Sequence, residues 1–394
     1  MRFFSPKFEN EYTLGKRICN GVTCQIRECR SIKEERDYVV KIYPSDLDDI
    51  NTIRYEHHLY VKNKLNSIPN ILKLKDCYFD KYYVYYVMEK YEGKDLFATI
   101  MDGLQYSEHD LATFFRQIFR SLRSLHSLNI VHRNISGKNL VFARDDRRVL
   151  LLKGLRYMLS TNEYSKFNIV VEHSLQYLSP EIISQDTNLL NITKSDIWAC
   201  GVILYTLLFG TNLFPIEFPF DKYTQNIVKG EINWNVKSPL LDYSNKLAID
   251  FCKSLLKLNP DERITAKDAL FHPWLSIDNV DSHNKQLAPE RFYAEVRNSI
   301  DELDTLEENT FIQYRHRLND DVLSRSGGSA LLNKLGSTLS LSSRSIKLQG
   351  QKPQPRLSSK CLPFKIRKPA FRMKRFGSKR QDTKPLIENQ VVEK

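Results

Sequence analysis

The chain has 394 residues, 41% of them hydrophobic and 11% aromatic, which is enough for a buried core in one large or two ordinary domains. The formal net charge is +12, but about 15 excess positive charges lie between Val322 and Lys384, which leaves the rest of the chain close to neutral. No stretch reaches the ~20 uninterrupted apolar residues of a membrane helix, and the first residues lack the apolar run of a signal peptide.

The first part of the chain, residues 12–91, is predicted to consist of strands and one helix. Segments 38–43 and 82–88 are rich in β-branched and aromatic residues, which favour strands. Between them, residues 50–65 carry apolar side chains near helical spacing. This part is therefore expected to form a sheet covered by a helix.

The second part of the chain is predicted to be mainly helical. Residues 111–128 have apolar side chains at helical spacing, and residues 197–209 are apolar on nearly every side, as a fully buried helix requires. Pro289 precedes an amphipathic pattern whose apolar face consists of Phe292, Val296, Ile300 and Leu303. From Ser324 the chain is rich in Ser, Gly and basic residues, so disorder is expected there.

One segment carries a recognisable motif. Residues 130–140 read IVHRNISGKNL, which resembles the protein-kinase catalytic loop H-R-D-x-x-x-x-N. The other kinase landmarks follow in the family's order: a V-A-I-K-like strand with Lys41, Glu56 on the next helix, a hinge at 87–91, an A-P-E-like Glu181, a D-x-W-x-x-G-like Asp196, and Arg263. Residues 12–275 therefore resemble the eukaryotic protein kinase superfamily, of Ser/Thr type.

The resemblance implies an α+β fold with two lobes, a β-rich small lobe and an α-helical large lobe. The expected organisation is an N-terminal extension at 1–11, a small lobe at 12–88, a large lobe at 92–275, a partly helical extension at 276–320 and a disordered basic tail at 321–394.

Several matching residues have structural roles in the family. The resemblance implies that Glu181 and Arg263 form a buried ion pair, and that Asp196 accepts hydrogen bonds from the backbone of the catalytic loop, which contains His132 and Arg133. Buried charges are tolerated when they are paired in this way. We therefore expect the large lobe to be built as in other kinases.

The catalytic positions differ from the family pattern. Asn134 occupies the position of the H-R-D aspartate, and an amide cannot accept a proton near neutral pH. Ser136 occupies the position of the lysine that usually meets the transferred phosphate. Loss of a positioned base costs about 10²–10⁴-fold in rate.

The metal-binding position differs as well. Alignment on Gly154 puts Leu152 in the aspartate position of D-F-G and Lys153 in the phenylalanine position, and residues 149–157 contain no acid. Mg²⁺ prefers carboxylate oxygens, and of the family's metal ligands only Asn139 remains. A lysine at this position needs an acidic partner or an exit to water, and Glu56 is the partner we consider.

The glycine-rich loop that covers the phosphates in kinases is degenerate. The match runs from Ile18 to Ile26 and retains only Gly21, with Cys19 and Cys24 in the other two glycine positions. Their side chains hinder close approach of the backbone to phosphate. We favour the interpretation that both cysteines are ordinary small strand residues over a redox role.

A degenerate nucleotide site nevertheless remains in the sequence. It consists of Lys41 and Glu56 with Met88, Glu89 and Tyr91 of the hinge, together with the loop residues named above. Lys41 and Glu56 are read either as a clamp for phosphates or as a structural brace between strand and helix. No cofactor is required by this interpretation, which leaves open weak nucleotide binding or the binding of ATP without Mg²⁺.

The tail is the second candidate for function. Between Phe364 and Arg380 basic residues alternate with aromatic ones, which suits anionic lipid or a nuclear-import receptor, with specific nucleic-acid recognition not expected. Ser337, Ser359 and Ser378 each follow a basic residue three positions earlier, a weak pattern for phosphorylation by basophilic kinases. A solvated, disordered tail without a partner remains the simpler alternative.

The seven scattered cysteines show no metal-ligand spacing, so free thiols in a reducing intracellular compartment, cytoplasmic or nuclear, are expected. The sequence as a whole predicts a pseudokinase that acts as a scaffold or allosteric regulator for a protein client or an active kinase. Two alternatives remain. One is an unorthodox active Ser/Thr kinase, although the nearest acids, Asp145 and Asp146, fall in a turn. The other is a membrane or nucleic-acid binder driven by the tail.

Overall fold

The computed structural model describes residues 7–20, 24–45, 50–154, 157–162, 172–184, 192–216, 220–241, 246–275 and 287–323. The chain divides into two units, Met1–Gln354 and Pro355–Lys394, and every described residue belongs to the first. Residues 324–394, which include the three candidate serines and nearly all of the basic tail, lie outside the described residues, so the expectations about them remain predictions.

The small lobe is built on a five-stranded antiparallel sheet with the order β1-β2-β3-β5-β4. The segments predicted at 38–43 and 82–88 become β3 and β5, which pair in the middle of the sheet. Lys41 lies opposite both Ile26 and Tyr86, so these three side chains share one face of the sheet. The strands are β1 Tyr12–Asn20, β2 Gln25–Ser31, β3 Asp37–Pro44, β4 Leu74–Phe79 and β5 Tyr83–Glu89.

The opposite face of this sheet buries a cluster of aromatic rings. A four-residue helix, α1 (Phe8–Glu11), directs Phe8 onto the sheet, where its ring stacks on Tyr85 with centroids 4.6 Å apart. Tyr12 and Tyr78 complete the contact with Phe8. Residues 1–11 were predicted as an extension before the domain, and the packing of Phe8 on the sheet is a contact that the sequence did not predict, because a single helical turn has no periodicity.

Helix α2 (Ile50–Lys62) covers the other face of the sheet and buries Ile53 and Leu59. It is shorter than the predicted segment 50–65. Lys64 adopts a left-handed conformation with φ 49°, which ends the helix, and the last residues form a separate 3-10 turn.

The large lobe is helical, and its helix α4 (Glu108–Ser127) is capped at the N-terminus. Helix α4 begins three residues before the predicted segment because the side chains of Ser107 and Asp110 form a capping box. Helix α6 is buried from Asp196 to its last residue, as its composition predicted. The described α-helices of the large lobe up to residue 275 are α3 Leu96–Met101, α4 Glu108–Ser127, α5 Pro180–Ile183, α6 Thr193–Phe209, α7 Phe220–Lys229, α8 Leu247–Leu255 and α9 Ala266–Ala269.

Two pairs of short antiparallel strands hold the catalytic loop. The strands β6 (Ile130–Val131) and β9 (Leu159–Ser160) form one pair, and β7 (Leu140–Phe142) and β8 (Leu150–Leu152) form the other. The loop with Asn134 runs from β6 to β7, so both of its ends are fixed by hydrogen-bonded strands.

The amphipathic pattern after Pro289 forms a long helix, α10 (Glu290–Leu323), that packs against the large lobe. The predicted apolar face is buried, together with Tyr293, whose hydroxyl donates to the Tyr106 carbonyl at 2.6 Å. The helix continues past residue 320, where the sequence analysis began the disordered tail. Within the described ranges no helix, this one included, has the length and apolar character needed to cross a bilayer.

Because Ile300 lies on the buried face of α10 and is fully buried in the core, an Ile300→Ala substitution should lower the free energy of unfolding by about 2–5 kcal/mol. Leu287→Ala is the matched control, since Leu287 is 48% exposed, and should change stability by less than ~0.5 kcal/mol. Urea unfolding of the full chain measures both. Equal, small losses would mean that α10 is an appendage and not part of the core.

Candidate functional site

Asp196 organises the catalytic loop. Its carboxylate accepts hydrogen bonds from the backbone amides of His132 and Arg133, both at 2.8 Å, and lies 2.9 Å from His126 Nε2. Burial alone would raise the pKa of this carboxyl, but the bond and charge of His126 and the groups of His132 lower it below its ordinary value. The hydrogen bonds implied by the kinase resemblance are therefore present.

The expected ion pair behind the cleft is also present. Arg263 and Glu181 pair through two hydrogen bonds, Nη1 to Oε1 at 2.7 Å and Nη2 to Oε2 at 3.0 Å. The Arg263 side chain is fully buried, and its guanidinium lies 5.1 Å from the centre of the Trp198 ring. The pair joins the segment around α5 to the end of the large lobe.

Removing one partner of this pair leaves a buried charge without compensation. Arg263→Met should therefore destabilise the chain by about 3–5 kcal/mol in urea unfolding. The double variant Arg263→Met with Glu181→Met should recover most of the loss, because no charge is then stranded. A double variant as unstable as the single one would show that the arginine acts through packing and backbone contacts instead.

In the catalytic loop, the two asparagines are joined to each other. The side-chain amide of Asn139 donates to the backbone carbonyl of Asn134 at 2.8 Å. The backbone amide of Asn134 donates to His132 Nδ1 at 3.2 Å. Ser136 is buried. The loop thus has its expected geometry without an acid at the base position.

Leu152 offers no ligand atom to a metal ion. Its side chain is buried in the core, and its backbone donates to Asn70 at 2.7 Å and accepts from Leu72 at 2.9 Å. Among the described residues, no group of three His, Cys, Asp or Glu side chains could hold a metal ion. The residues at this position therefore do not fit the Mg²⁺ that the kinase family uses.

Lys153 does not pair with Glu56, and the expectation from the sequence was wrong. Its ammonium lies 3.4 Å from the Tyr91 hydroxyl and 5.6 Å from the centre of the Tyr91 ring. Burial lowers the pKa of Lys153, while the charges of Asp95 and Cys19 oppose this shift. The lysine therefore extends to the hinge side of the cleft and not to the helix that carries Glu56.

A cavity of about 400 Å³, a figure that includes space open to solvent, lies between the sheet and Gly154. Of the candidate nucleotide residues, the structure brings together Lys41, Glu56 and Met88 in its wall. The remaining lining residues are Tyr43, Tyr60, Leu72, Leu74, Tyr86, Lys153 and Gly154. The pairing of strands could have identified Tyr86 as a lining residue, because it lies opposite Lys41. No pattern in the sequence indicated Leu72.

The other nucleotide candidates lie outside this wall. Ile18 is 49% exposed on β1, and Ile26 lies on β2 opposite Lys41. The Glu89 amide donates to the Lys73 carbonyl at 3.0 Å in the sheet. Gly21 lies outside the described residues.

Lys41 and Glu56 face the same cavity but form no ion pair within 4.0 Å in the described part of the chain. Burial raises the pKa of Glu56 to about 7, and the Lys41 ammonium opposes the shift. Close to neutral pH this carboxyl is therefore only partly ionised, which weakens the clamp that the sequence suggested.

The raised pKa of Glu56 makes stability depend on pH. The folded chain holds this proton up to about pH 7, whereas the unfolded chain releases it near 4.5. The stabilisation is complete below pH 4.5 and is lost as the pH rises through 7, by ~3 kcal/mol in total. Glu56→Gln should remove this fall. Lys41, Lys153, Tyr43, Tyr60 and Tyr86 line the same cavity and remain unchanged in the variant.

Urea unfolding at pH 5 and pH 8 measures this difference, with Glu92→Gln as an exposed control that should follow the original chain. Parallel pH profiles for the Glu56 variant and the original chain would contradict the assignment.

A contact that the sequence did not reveal joins the catalytic loop to α10. Lys138 lies 3.0 Å from Asp304 Oδ1 and 2.9 Å from Glu307 Oε2. Burial would lower the pKa of Lys138, but the two carboxylates raise it. Acids three positions apart on a helix were visible in the sequence, but nothing local identified their partner.

A two-lobed fold with this loop in its cleft defines a protein-kinase domain. Residues 12–275 match the family described as "Protein kinase domain", and the chain belongs to the eukaryotic protein kinase superfamily.

Its relatives include serine/threonine kinases. It is 30% identical over 290 residues to serine/threonine-protein kinase DCLK3 of Mus musculus, covering 72% of this chain and 36% of that one. It is 29% identical over 283 residues to calcium/calmodulin-dependent protein kinase type 1 of Macrobrachium nipponense, covering 71% and 79%. The chain thus spans about a third of the first relative's length.

Solved structures agree on the fold. The autoinhibited serine kinase domain of the giant muscle protein titin matches with a TM-score of 0.63 and 19% identity, covering 75% of this chain and 88% of that one. A twitchin kinase fragment from C. elegans matches with a TM-score of 0.65 and 21% identity, covering 75% and 64%. The predicted fold class is therefore confirmed.

Proposed function

We propose that this chain is a pseudokinase, a Ser/Thr-kinase-like domain that acts by binding a protein client or an active kinase and not by transferring phosphate. One observation carries the proposal: the position of the metal-binding aspartate holds Leu152, whose side chain is buried in the core. Transfer of a phosphoryl group depends on metal ions that bridge the phosphates and neutralise their charge.

The catalytic loop supports the same proposal. Asn134 cannot accept the proton of a substrate hydroxyl, and Asn139, whose side-chain N–H donates to the Asn134 carbonyl, offers a metal ion only a neutral amide oxygen. The residues at these two positions, Asn134 and Leu152, therefore supply neither a base nor an acidic metal ligand. The first loss alone is worth about 10²–10⁴-fold, and the second removes the charge neutralisation that transfer needs.

The position of α10 gives independent support. Two of its acids pair with Lys138 of the catalytic loop, and the helix packs along the segment Glu172–Tyr177, which precedes α5. We infer that a helix so placed would compete with a substrate for the catalytic loop. Such a face suits a regulated binding surface better than an open catalytic one.

The remaining parts of the proposal concern ligands and location. No cofactor is needed for scaffolding, and nucleotide binding is expected to be weak or absent. The segment from Phe364 to Arg380 is proposed to locate the chain, through anionic lipid or a nuclear-import receptor. An intracellular location, cytoplasmic or nuclear, remains a prediction from cysteine use.

An active kinase is the second candidate, because the relatives are serine/threonine kinases and Lys41 is retained in the cleft. Radiolabel transfer from ATP with Mg²⁺ or Mn²⁺ to a basic protein substrate and to the chain itself separates the two. The original chain should incorporate no more label than Lys41→Met. Incorporation above that background, abolished by the substitution, would overturn the pseudokinase proposal.

A further inference from the structure

Cys19 and Cys24 lie on the same face of the small-lobe sheet. Cys19 is opposite Ile26 across the β1–β2 pair, and Ile26 is in turn opposite Lys41 on β3. Cys24 comes directly before β2 and two residues before Ile26, and side chains two positions apart in an extended chain point to the same face. Both cysteines therefore share the face from which Lys41 lines the cavity.

The surroundings of each thiol agree with this register. Cys24 packs against the core cluster that contains Tyr86, a residue of the cavity wall. Burial lowers the pKa of Lys153 and raises that of Tyr91, and the charge of a Cys19 thiolate acts on both groups, which places Cys19 near them. An apolar contact for one cysteine and an electrostatic contact for the other thus put both thiols on the cleft side of the sheet.

The remaining cysteines of the described ranges have a different environment. Burial raises the pKa of the Cys29 thiol to about 12, and it also raises the pKa values of Cys77, Cys200 and Cys252. The thiolate is the form that reacts with oxidants, so these thiols are expected to be inert. Cys19 is only partly buried and lies near an ammonium group, which is the setting of a reactive cysteine.

A bridge between Cys19 and Cys24 requires a small movement of the strand ends. Diagonal neighbours in an antiparallel pair have Cα atoms about 7–8 Å apart, whereas a disulfide joins Cα atoms about 4.4–6.8 Å apart. The ends of β1 and β2 must therefore approach each other by about 1 Å. A disulfide formed in this way changes the part of the sheet that covers the cavity.

We propose that Cys19 and Cys24 form a redox-responsive pair above the cleft, in which peroxide oxidises Cys19 and Cys24 closes the disulfide. On the sequence alone both were interpreted as ordinary small strand residues, because their common face was not visible there. In a reducing compartment such a disulfide is transient, as in redox sensors. The pair does not depend on phosphate transfer, so it adds to the proposed function without resting on it.

The reaction is balanced with hydrogen peroxide as the oxidant. The Cys19 thiolate attacks one peroxide oxygen, the O–O bond breaks and hydroxide leaves, which gives a sulfenic acid at Cys19. Cys24 loses its proton, its thiolate attacks the Cys19 sulfur, the S–O bond breaks and hydroxide leaves again. The protons released by the two thiols convert both hydroxides into water, so the pair of sulfurs is oxidised while peroxide is reduced.

The test uses a peptide that carries both cysteines. Trypsin cuts after Arg17 and Arg27, so residues 18–27 are released together. The full chain, treated with hydrogen peroxide at neutral pH and then alkylated, should yield this peptide lighter by two hydrogens and without label on either thiol. Reduction with dithiothreitol before alkylation should restore both labels. Full labelling after peroxide, or a disulfide from Cys19 to Cys361 or to a second chain, would overturn the proposal.

Single substitutions separate the two roles. In Cys24→Ser, dimedone should trap Cys19 as a sulfenic acid, whereas in Cys19→Ser the Cys24 thiol should stay reduced over the same time. Cys77→Ser is the matched control, since Cys77 lies opposite Tyr86 on the same face of the sheet, and it should leave the disulfide unchanged. Dimedone on Cys24 alone would contradict the assignment of the roles.

The effect of the nearby ammonium group is measured separately. Lys153→Met should slow the reaction of Cys19 with peroxide by about threefold or more, because a cation stabilises the thiolate. Lys73→Met is the control, since Lys73 is exposed, and it should react at the original rate. An unchanged rate in the Lys153 variant would contradict its role. Melting temperatures of the reduced variants establish that they fold, and the peptide measurement on the original chain needs no substitution.

Discussion

The burial of one carboxylate, that of Asp196, determines the shape of the catalytic loop. A charge removed from water persists only when it is paired, and this one is held by two backbone amides of the loop and by His126. The loop keeps kinase geometry whether or not it catalyses, because its backbone completes the pairing of a buried charge. Loop geometry therefore says little about activity, and the side chains at the base and metal positions decide it.

Much of the fold could be predicted because it depends on local patterns in the sequence. Aromatic and β-branched runs gave the two central strands, and the apolar composition of α6 gave its burial. The features that these patterns did not predict have local causes of another kind. A capping box starts α4 early, a left-handed Lys64 ends α2, and Phe8 joins the core from a single helical turn. Each depends on one or two side chains that periodicity does not register.

In the candidate site, too, some features could be predicted from the sequence and others could not. Motif alignment identified the residues at the base and metal positions, because their spacing is local. It could not give the direction of the Lys153 side chain, which depends on Tyr91 across the cleft, nor the pairing of Lys138 with acids more than a hundred residues away. Contacts of this kind arise from the packing of elements on one another, and no sequence period encodes them.

Three of the four substitutions in the cleft change its charge in the same direction. Relative to the kinase motifs, Asn134 and Leu152 each remove a negative charge and Lys153 adds a positive one, while Ser136 removes a positive one. The net change is +2, which equals the charge of Mg²⁺. A charge fixed to the chain cannot replace the metal ion, because an ammonium group is not a Lewis acid and does not polarise a phosphoryl oxygen as a coordinated metal does. These substitutions therefore oppose phosphoryl transfer.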